Sequence, residues 1–122
     1  MSFPTHPDQP ASVLEENLKR GLTEPLLLSL LSEQPRYIGE LTELIRQRSN
    51  GDLTIVFPYA AIYRLLDAGY ITEAKKAFAP DGRRRQYYSI TDTGRAYLQD
   101  LLRVYDRVTQ SVRVILEGGA EK

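Results

Sequence analysis

Apolar positions along this chain follow a helical period, switch to a strand period, and then return to a helical one. Leu26, Leu27, Leu28, Leu30 and Leu31 form a nearly all-apolar run, expected as a helix central to the core. Ile38, Leu41, Leu44 and Ile45 follow at i, i+3, i+6 and i+7, the spacing of one buried face, and predict a helix over 38–48. Ser49-Asn50-Gly51-Asp52 is turn chemistry. A third helix is expected from about Phe57-Pro58 to Ala68, with Ala61, Ile62, Leu65 and Leu66 inward and Gly69 as its stop. From Tyr70 to Ala79 the pattern is short, partly alternating and poor as a helix. Pro80-Asp81-Gly82 is a proline-led tight turn, and Arg84 to Ile90, with Tyr87, Tyr88 and Ile90, favours a strand. The prediction is a β-hairpin with a basic tip.

The last element has the most regular pattern. Thr91 or Asp92 can cap a helix that runs to about Glu117, roughly 39 Å at 1.5 Å per residue. Leu98, Leu101, Tyr105, Val108, Val112 and Ile115 are spaced 3, 4, 3, 4, 3, a heptad-type stripe widened by Leu102 and Leu116. A small domain cannot cover that whole stripe, so an antiparallel or crossed second copy is expected on it, making a homodimer. At the other end, Ser12 with Glu15 three residues later forms a capping-box pattern for a first helical stretch. Pro25 interrupts that stretch. Either the helix kinks there or a fresh one starts with Thr23 as cap and Pro25 in its first turn; the restart is the expectation. Residues 1–11, with Pro4, Pro7 and Pro10, read as a flexible arm, 12–91 as one domain, 92–117 as the dimerisation helix and 118–122 as a disordered tail.

Composition narrows the function. The 122 residues are 42% hydrophobic and hold no cysteine, which excludes disulfides and thiolate metal sites and suits a reducing compartment. No apolar run approaches the roughly 20 residues of a membrane span, and Met1 to Pro10 lacks the features of a secretory signal, so a cytoplasmic protein is expected. Formal charge is zero, with 16 basic and 16 acidic residues, but it is unevenly distributed. Residues 1–18 hold three acids and no Lys or Arg, whereas 75–85 hold Lys75, Lys76, Arg83, Arg84 and Arg85 against Asp81 alone.

Three helices followed by a basic hairpin is the order of a winged helix-turn-helix, here mainly α with a small β-hairpin and a long C-terminal helix. The third helix is narrow enough for a major groove, and an arginine-rich hairpin can reach phosphates or an adjacent minor groove. Opposite its apolar face that helix carries Tyr59, Ala60, Tyr63, Arg64 and Asp67. The candidate DNA-binding residues are therefore Tyr59, Tyr63, Arg64, Arg83, Arg84 and Arg85, on double-stranded DNA. Catalysis has no support: the single histidine, His6, lies in the proline-rich arm, and neither a Gly-rich phosphate loop nor a metal-ligand spacing occurs. No cofactor or metal is expected.

The span Tyr59-Ala60-Ala61-Ile62-Tyr63-Arg64-Leu65-Leu66-Asp67-Ala68-Gly69-Tyr70-Ile71 resembles the recognition-helix signature of PadR-type regulators. Arg84-Arg85-Gln86-Tyr87-Tyr88-Ser89-Ile90-Thr91-Asp92-Thr93-Gly94 resembles their wing-to-helix signature, and Leu26 to Leu31 is similar to their first helix. The resemblance covers about residues 18–117. Tyr37-Ile38-Gly39-Glu40-Leu41 departs from the family's opening of helix two by loss of an aromatic, and Ala60 replaces the proline of its recognition helix. The resemblance implies a homodimeric repressor on a palindromic operator, joined through the C-terminal helix and released by a small aromatic or drug-like effector. Tyr105 falls near the place where some relatives use a tryptophan to stack planar ligands. Two other readings fit the neutral total charge: a winged-helix module for protein–protein contact, and a small-molecule-binding protein.

Overall fold

The computed structural model describes residues 9–118 apart from residue 57, and for residues 9 and 10 the backbone only. The segment 1–8 with His6, Phe57 and the tail 119–122 lie outside the described residues. The elements in order are α1 (Gln9–Leu31), β1 (Arg36–Tyr37), α2 (Ile38–Arg48), α3 (Tyr59–Asp67), β2 (Ile71–Phe78), β3 (Arg84–Ile90) and α4 (Asp92–Leu116). The strands form one antiparallel sheet in the order β1-β3-β2. The core lies where α1, α2, α3 and the sheet meet, and is built from Leu27, Leu28, Leu31, Leu41, Ile62, Leu65 and Ile71 with Tyr88 and Leu98.

Two expectations about the first helix are corrected. α1 begins at Gln9, so Ser12 lies inside the helix instead of capping it, and part of the expected arm is helical. Pro10 then occupies the first turn, where a missing N–H is harmless. The helix also does not restart at Thr23; it runs through Pro25. A proline in a helix interior loses one hydrogen bond and crowds the carbonyl four residues back. That residue is Gly21, which is exposed and has nothing within 4 Å of where a Cβ would stand. Thr23 Oγ1 donates to the Lys19 carbonyl at 2.7 Å, within the same turn.

The strand β1, two residues long, has no counterpart in the expectations. It is held by Arg36, 6% exposed, whose Nε donates to the Leu30 carbonyl at 3.0 Å. Its two terminal nitrogens donate to Glu33 at 2.7 Å and Glu40 at 2.9 Å. Arg48 reaches the same Glu33 at 2.8 Å, so one carboxylate joins the end of α1 to the end of α2. With Arg36 fixed, Arg36 pairs opposite Tyr88 and Tyr37 opposite Tyr87.

The hairpin closes onto α4 through a junction at Tyr70. Thr91 donates its N–H to the Tyr70 carbonyl at 3.0 Å and its hydroxyl to the Gly69 carbonyl at 2.7 Å, while its Oγ1 accepts the Gly94 N–H at 2.9 Å as the cap of α4. Gly94 is buried, and a Cβ there would come to 2.0 Å from the Tyr70 carbonyl oxygen and 2.9 Å from Ile90 Cγ1. Burial along α4 ends soon after. Leu98 is 5% exposed, Leu101 is half-buried, and no residue from Leu102 to Leu116 is buried. No helix among the described residues is long and apolar enough to cross a membrane.

These contacts give two predictions. Gly94→Ala drives a methyl group into a backbone oxygen and is expected to lose at least about 2 kcal/mol, lowering Tm by roughly 10 °C in a calorimetric scan. Gly21→Ala, in open space on a helix, should instead gain about 0.5 kcal/mol or more. The second concerns Glu33, whose pKa is lowered from 4.5 to about 2, chiefly by the Arg48 hydrogen bond with Arg36 adding and partial desolvation opposing. A depressed carboxylate lends stability above its ordinary pKa and loses it as pH falls toward the native value. The urea midpoint of the parent should therefore exceed that of Glu33→Gln by a constant amount at neutral pH. The gap should close between about pH 4.5 and 2.

Candidate nucleic-acid interface

α3 is amphipathic because Ile62 and Leu65 occupy one face and are fully buried, while Tyr59, Ala60, Tyr63, Arg64 and Asp67 are exposed. The loop before it is set by Asn50 and Gly51, both at positive φ, and by Ser49, whose Oγ accepts the Leu53 N–H at 2.9 Å. Pro58, buried, leads into the first turn of α3. After α3, Gly69 at φ 79° turns the chain into β2.

The hairpin is a rigid platform. Ala79 N–H donates to the Arg83 carbonyl and Gly82 N–H to the Ala79 carbonyl, each at 2.8 Å, with Gly82 at φ 82°. Asp81 accepts the Arg83 N–H at 3.0 Å and the Arg85 guanidinium at 2.8 Å, and that guanidinium holds the Asp81 carboxyl below its usual pKa. Arg85 also lies over the Tyr37 ring, 5.4 Å from its centroid. One of the three arginines is thus tied into the hairpin by the acid beside it. Lys75, Lys76, Arg83 and Arg84 make no ion pair among the described residues.

Between these elements lies a cleft of about 370 Å³ lined by Gly39 and Thr42 of α2, Pro58 and Tyr59 at the start of α3, and Arg84 and Gln86 of β3. β1 covers only Tyr87 and Tyr88, so the far edge of β3 at Arg84 to Gln86 is left open to this cleft. The first turns of α2 and α3 border it through Ile38, Gly39 and Tyr59, and the positive dipole end of a helix favours anions.

The expected site residues fall into groups. Tyr59, Arg84 and Arg85 line the cleft together, and Arg83 stands at the hairpin tip. Tyr63 lies beside Tyr88, whose hydroxyl is pushed to higher pKa by burial first and then by Glu73 and Tyr63. Arg64 turns away from the cleft and pairs with Glu24 of α1. Glu24 also accepts a hydrogen bond from the Tyr97 hydroxyl at 3.0 Å, and the Tyr97 ring stacks on Tyr70 at 4.0 Å. No local pattern signalled this Arg64–Glu24–Tyr97 group, because its members are far apart in sequence. Gln86 was equally overlooked, although its alternation with Arg84 and Tyr88 on β3 places it on their face. On α4, Leu98 belongs to the chain's own core, whereas Tyr105, Val108, Val112 and Ile115 are exposed.

Residues 27–100 match the profile of the transcriptional regulator PadR-like family. The chain belongs to that family. The matched span ends at Asp100, close to where α4 leaves the core. An uncharacterized protein of Lysinibacillus sphaericus is 29% identical over 107 residues, 87% of this chain and 98% of that protein. The structure of a transcriptional regulator from Clostridium thermocellum is similar at TM-score 0.69 and 28% identity, covering 80% of this chain and 95% of that one. A PadR-like transcriptional regulator from Bacillus cereus shares the fold at TM-score 0.69 and 24% identity, covering 84% and 98%. The protein is a PadR-like winged-helix transcriptional regulator with a long C-terminal helix.

Proposed function

We propose that this PadR-like regulator is a homodimeric repressor that binds a palindromic operator in duplex DNA and releases it when a small aromatic or drug-like effector binds. The observation that carries the reading is the cleft that joins Tyr59 at the start of α3 to Arg84 on an open strand edge, beside a hairpin with four cations lacking an ion-pair partner among the described residues. In this reading α3, through Tyr59 and Tyr63, meets base edges in the major groove. Arg83 and Arg84 meet phosphates, and Arg85 positions the hairpin through Asp81 and Tyr37. Arg64 is paired with Glu24 and keeps most of its side chain exposed. Residues 12–91 then form the DNA-binding part and 92–117 the dimerisation helix.

The dimer is supported by the apolar stripe of α4, exposed from Tyr105 to Ile115. An effector is supported by an apolar groove of about 270 Å³ between Leu14, Leu18 and Leu22 of α1 and Leu53 and Ile55, and by Tyr105, 44% exposed on the stripe.

Selection from a random duplex library should return a palindrome with half-sites about 34 Å apart. Six to ten phosphate contacts would cost roughly 10³- to 10⁵-fold in affinity between about 50 and 200 mM salt. Arg84→Ala should weaken all sequences alike and reduce the slope of log affinity against log salt by about 1. An unsymmetric or empty selection overturns the reading. The dimer has a separate check. Val108→Glu with Val112→Glu would place charges in the proposed seam, and sedimentation should then report a folded monomer. A folded dimer would move the interface elsewhere.

A further inference from the structure

The hairpin carries an apolar group that neither the core nor the cation pattern explains. Phe78, the last residue of β2, is 76% exposed, more than any other aromatic residue among those described; Tyr63 and Tyr59 follow at 57% and 48%. It sits one residue before the tight turn, and its neighbour Ala79 is buried at 5% exposure beneath that turn. Phe78 pairs directly opposite Arg84. Opposed residues of an antiparallel pair leave the sheet on the same face, so Phe78 and Arg84 stand on one face of the hairpin. Two and four residues along β3, Gln86 and Tyr88 share that face. It is the face that packs Tyr88 into the core and lines the cleft with Arg84 and Gln86, so Phe78 extends the face outward past the cleft. Lys76, opposite Gln86, places a further cation on it.

An exposed ring that shares its face with Arg84 and Lys76 is poorly suited to a water-filled surface and well suited to a polyanion with apolar interior surfaces. Arginine and lysine are drawn to the negative potential of a narrow minor groove, and an apolar side chain brought there with them can enter between base pairs. We propose that Phe78 is such a wedge: the hairpin carries it into the minor groove beside the α3 contact, where it partly unstacks one base step and bends the duplex. The inference rests on the duplex-DNA reading above and adds a source of sequence preference to it. Unstacking costs least at pyrimidine–purine steps, so operators should hold TA or CA/TG where the tip of the hairpin lies, without any hydrogen bond to those bases.

The wedge and the cations differ in one measurable respect. Removing a phosphate contact flattens the salt dependence, whereas removing an apolar contact lowers affinity at every salt concentration and leaves the slope unchanged. The full chain and its Phe78→Ala, Phe78→Leu and Arg84→Ala variants would be titrated onto the selected duplex at several salt concentrations. Bend would be read by energy transfer between dyes at the duplex ends, and stacking by 2-aminopurine at the step beneath the hairpin. Phe78→Ala should bind about tenfold more weakly with an unchanged slope, straighten the duplex and abolish the 2-aminopurine signal. Phe78→Leu should keep most of the bend. Parent-like affinity and bend in Phe78→Ala would overturn the wedge and leave the DNA reading intact, and so would a loss of affinity that came with a flattened slope. Failure of the parent to select any duplex would remove the DNA reading and the wedge with it.

Discussion

The architecture turns on one peptide carbonyl, that of Tyr70. It accepts the Thr91 N–H at 3.0 Å and lies against Gly94, whose missing Cβ makes the approach possible. The end of α3, the start of β2, the end of β3 and the first turn of α4 all converge there. The Tyr70 ring stacks on Tyr97, the Tyr97 hydroxyl reaches Glu24 on α1, and Glu24 holds Arg64 on α3. Close-packed contacts of this kind do not deform continuously. The direction of α4 is therefore fixed relative to the exposed face of α3. If α4 carries a second copy, the spacing of the two α3 helices follows from this junction and not from the hairpin.

A chain with zero formal charge presents a local basic surface because its cations cluster on the hairpin. Glu33 and Glu40 hold Arg36, and Glu33 also holds Arg48. Glu43 is paired with Arg46, Glu15 with Lys19 and Asp100 with Arg103, all within their own helices. Asp81, the one acid in the hairpin turn, is bound to Arg85 and to backbone. Surface pairs like these contribute little stability individually. What matters is distribution: these pairs lie mostly away from the hairpin strands, where Lys75, Lys76, Arg83 and Arg84 stand without an ion-pair partner among the described residues. Net charge misses this, because a groove responds to potential over a Debye length and not to the sum over the molecule.

Features written in local periodicity were legible in the sequence. The spacing of Ile38, Leu41, Leu44 and Ile45 gave the bounds of α2, and the turn at Pro80-Asp81-Gly82 gave the hairpin. Two kinds of feature were not legible. Some are too short to have a period: β1 is two residues long, and it exists because Arg36 finds carboxylates three residues before and four after it. Others depend on partners distant in sequence. Pro25 lies inside a helix that packs Leu27, Leu28 and Leu31 into the core, and Arg64, placed by sequence on the solvent face, pairs with Glu24. The heptad stripe of α4 was visible as one run, yet packing divides it at Leu101 into a part within the chain's own core and a part left exposed.

The Arg64–Glu24 pair also redistributes roles across the candidate interface. A guanidinium partly engaged by a carboxylate gains less from a further acceptor than an unpaired one, so the Glu24 pairing lowers what Arg64 gains on DNA. The other exposed groups of α3 are the uncharged Tyr59, Ala60 and Tyr63 and the acid Asp67. Arg83 and Arg84, without an ion-pair partner among the described residues, sit on the hairpin. Contacts to phosphate supply affinity with little sequence information, whereas contacts to base edges supply information with little electrostatic gain. In the proposed complex α3 reads base edges, while the hairpin, across the cleft from Tyr59, contributes phosphate contacts and, through Phe78, a preference for easily unstacked steps. In that reading, substitutions on α3 change which bases are read while the hairpin keeps its phosphate contacts.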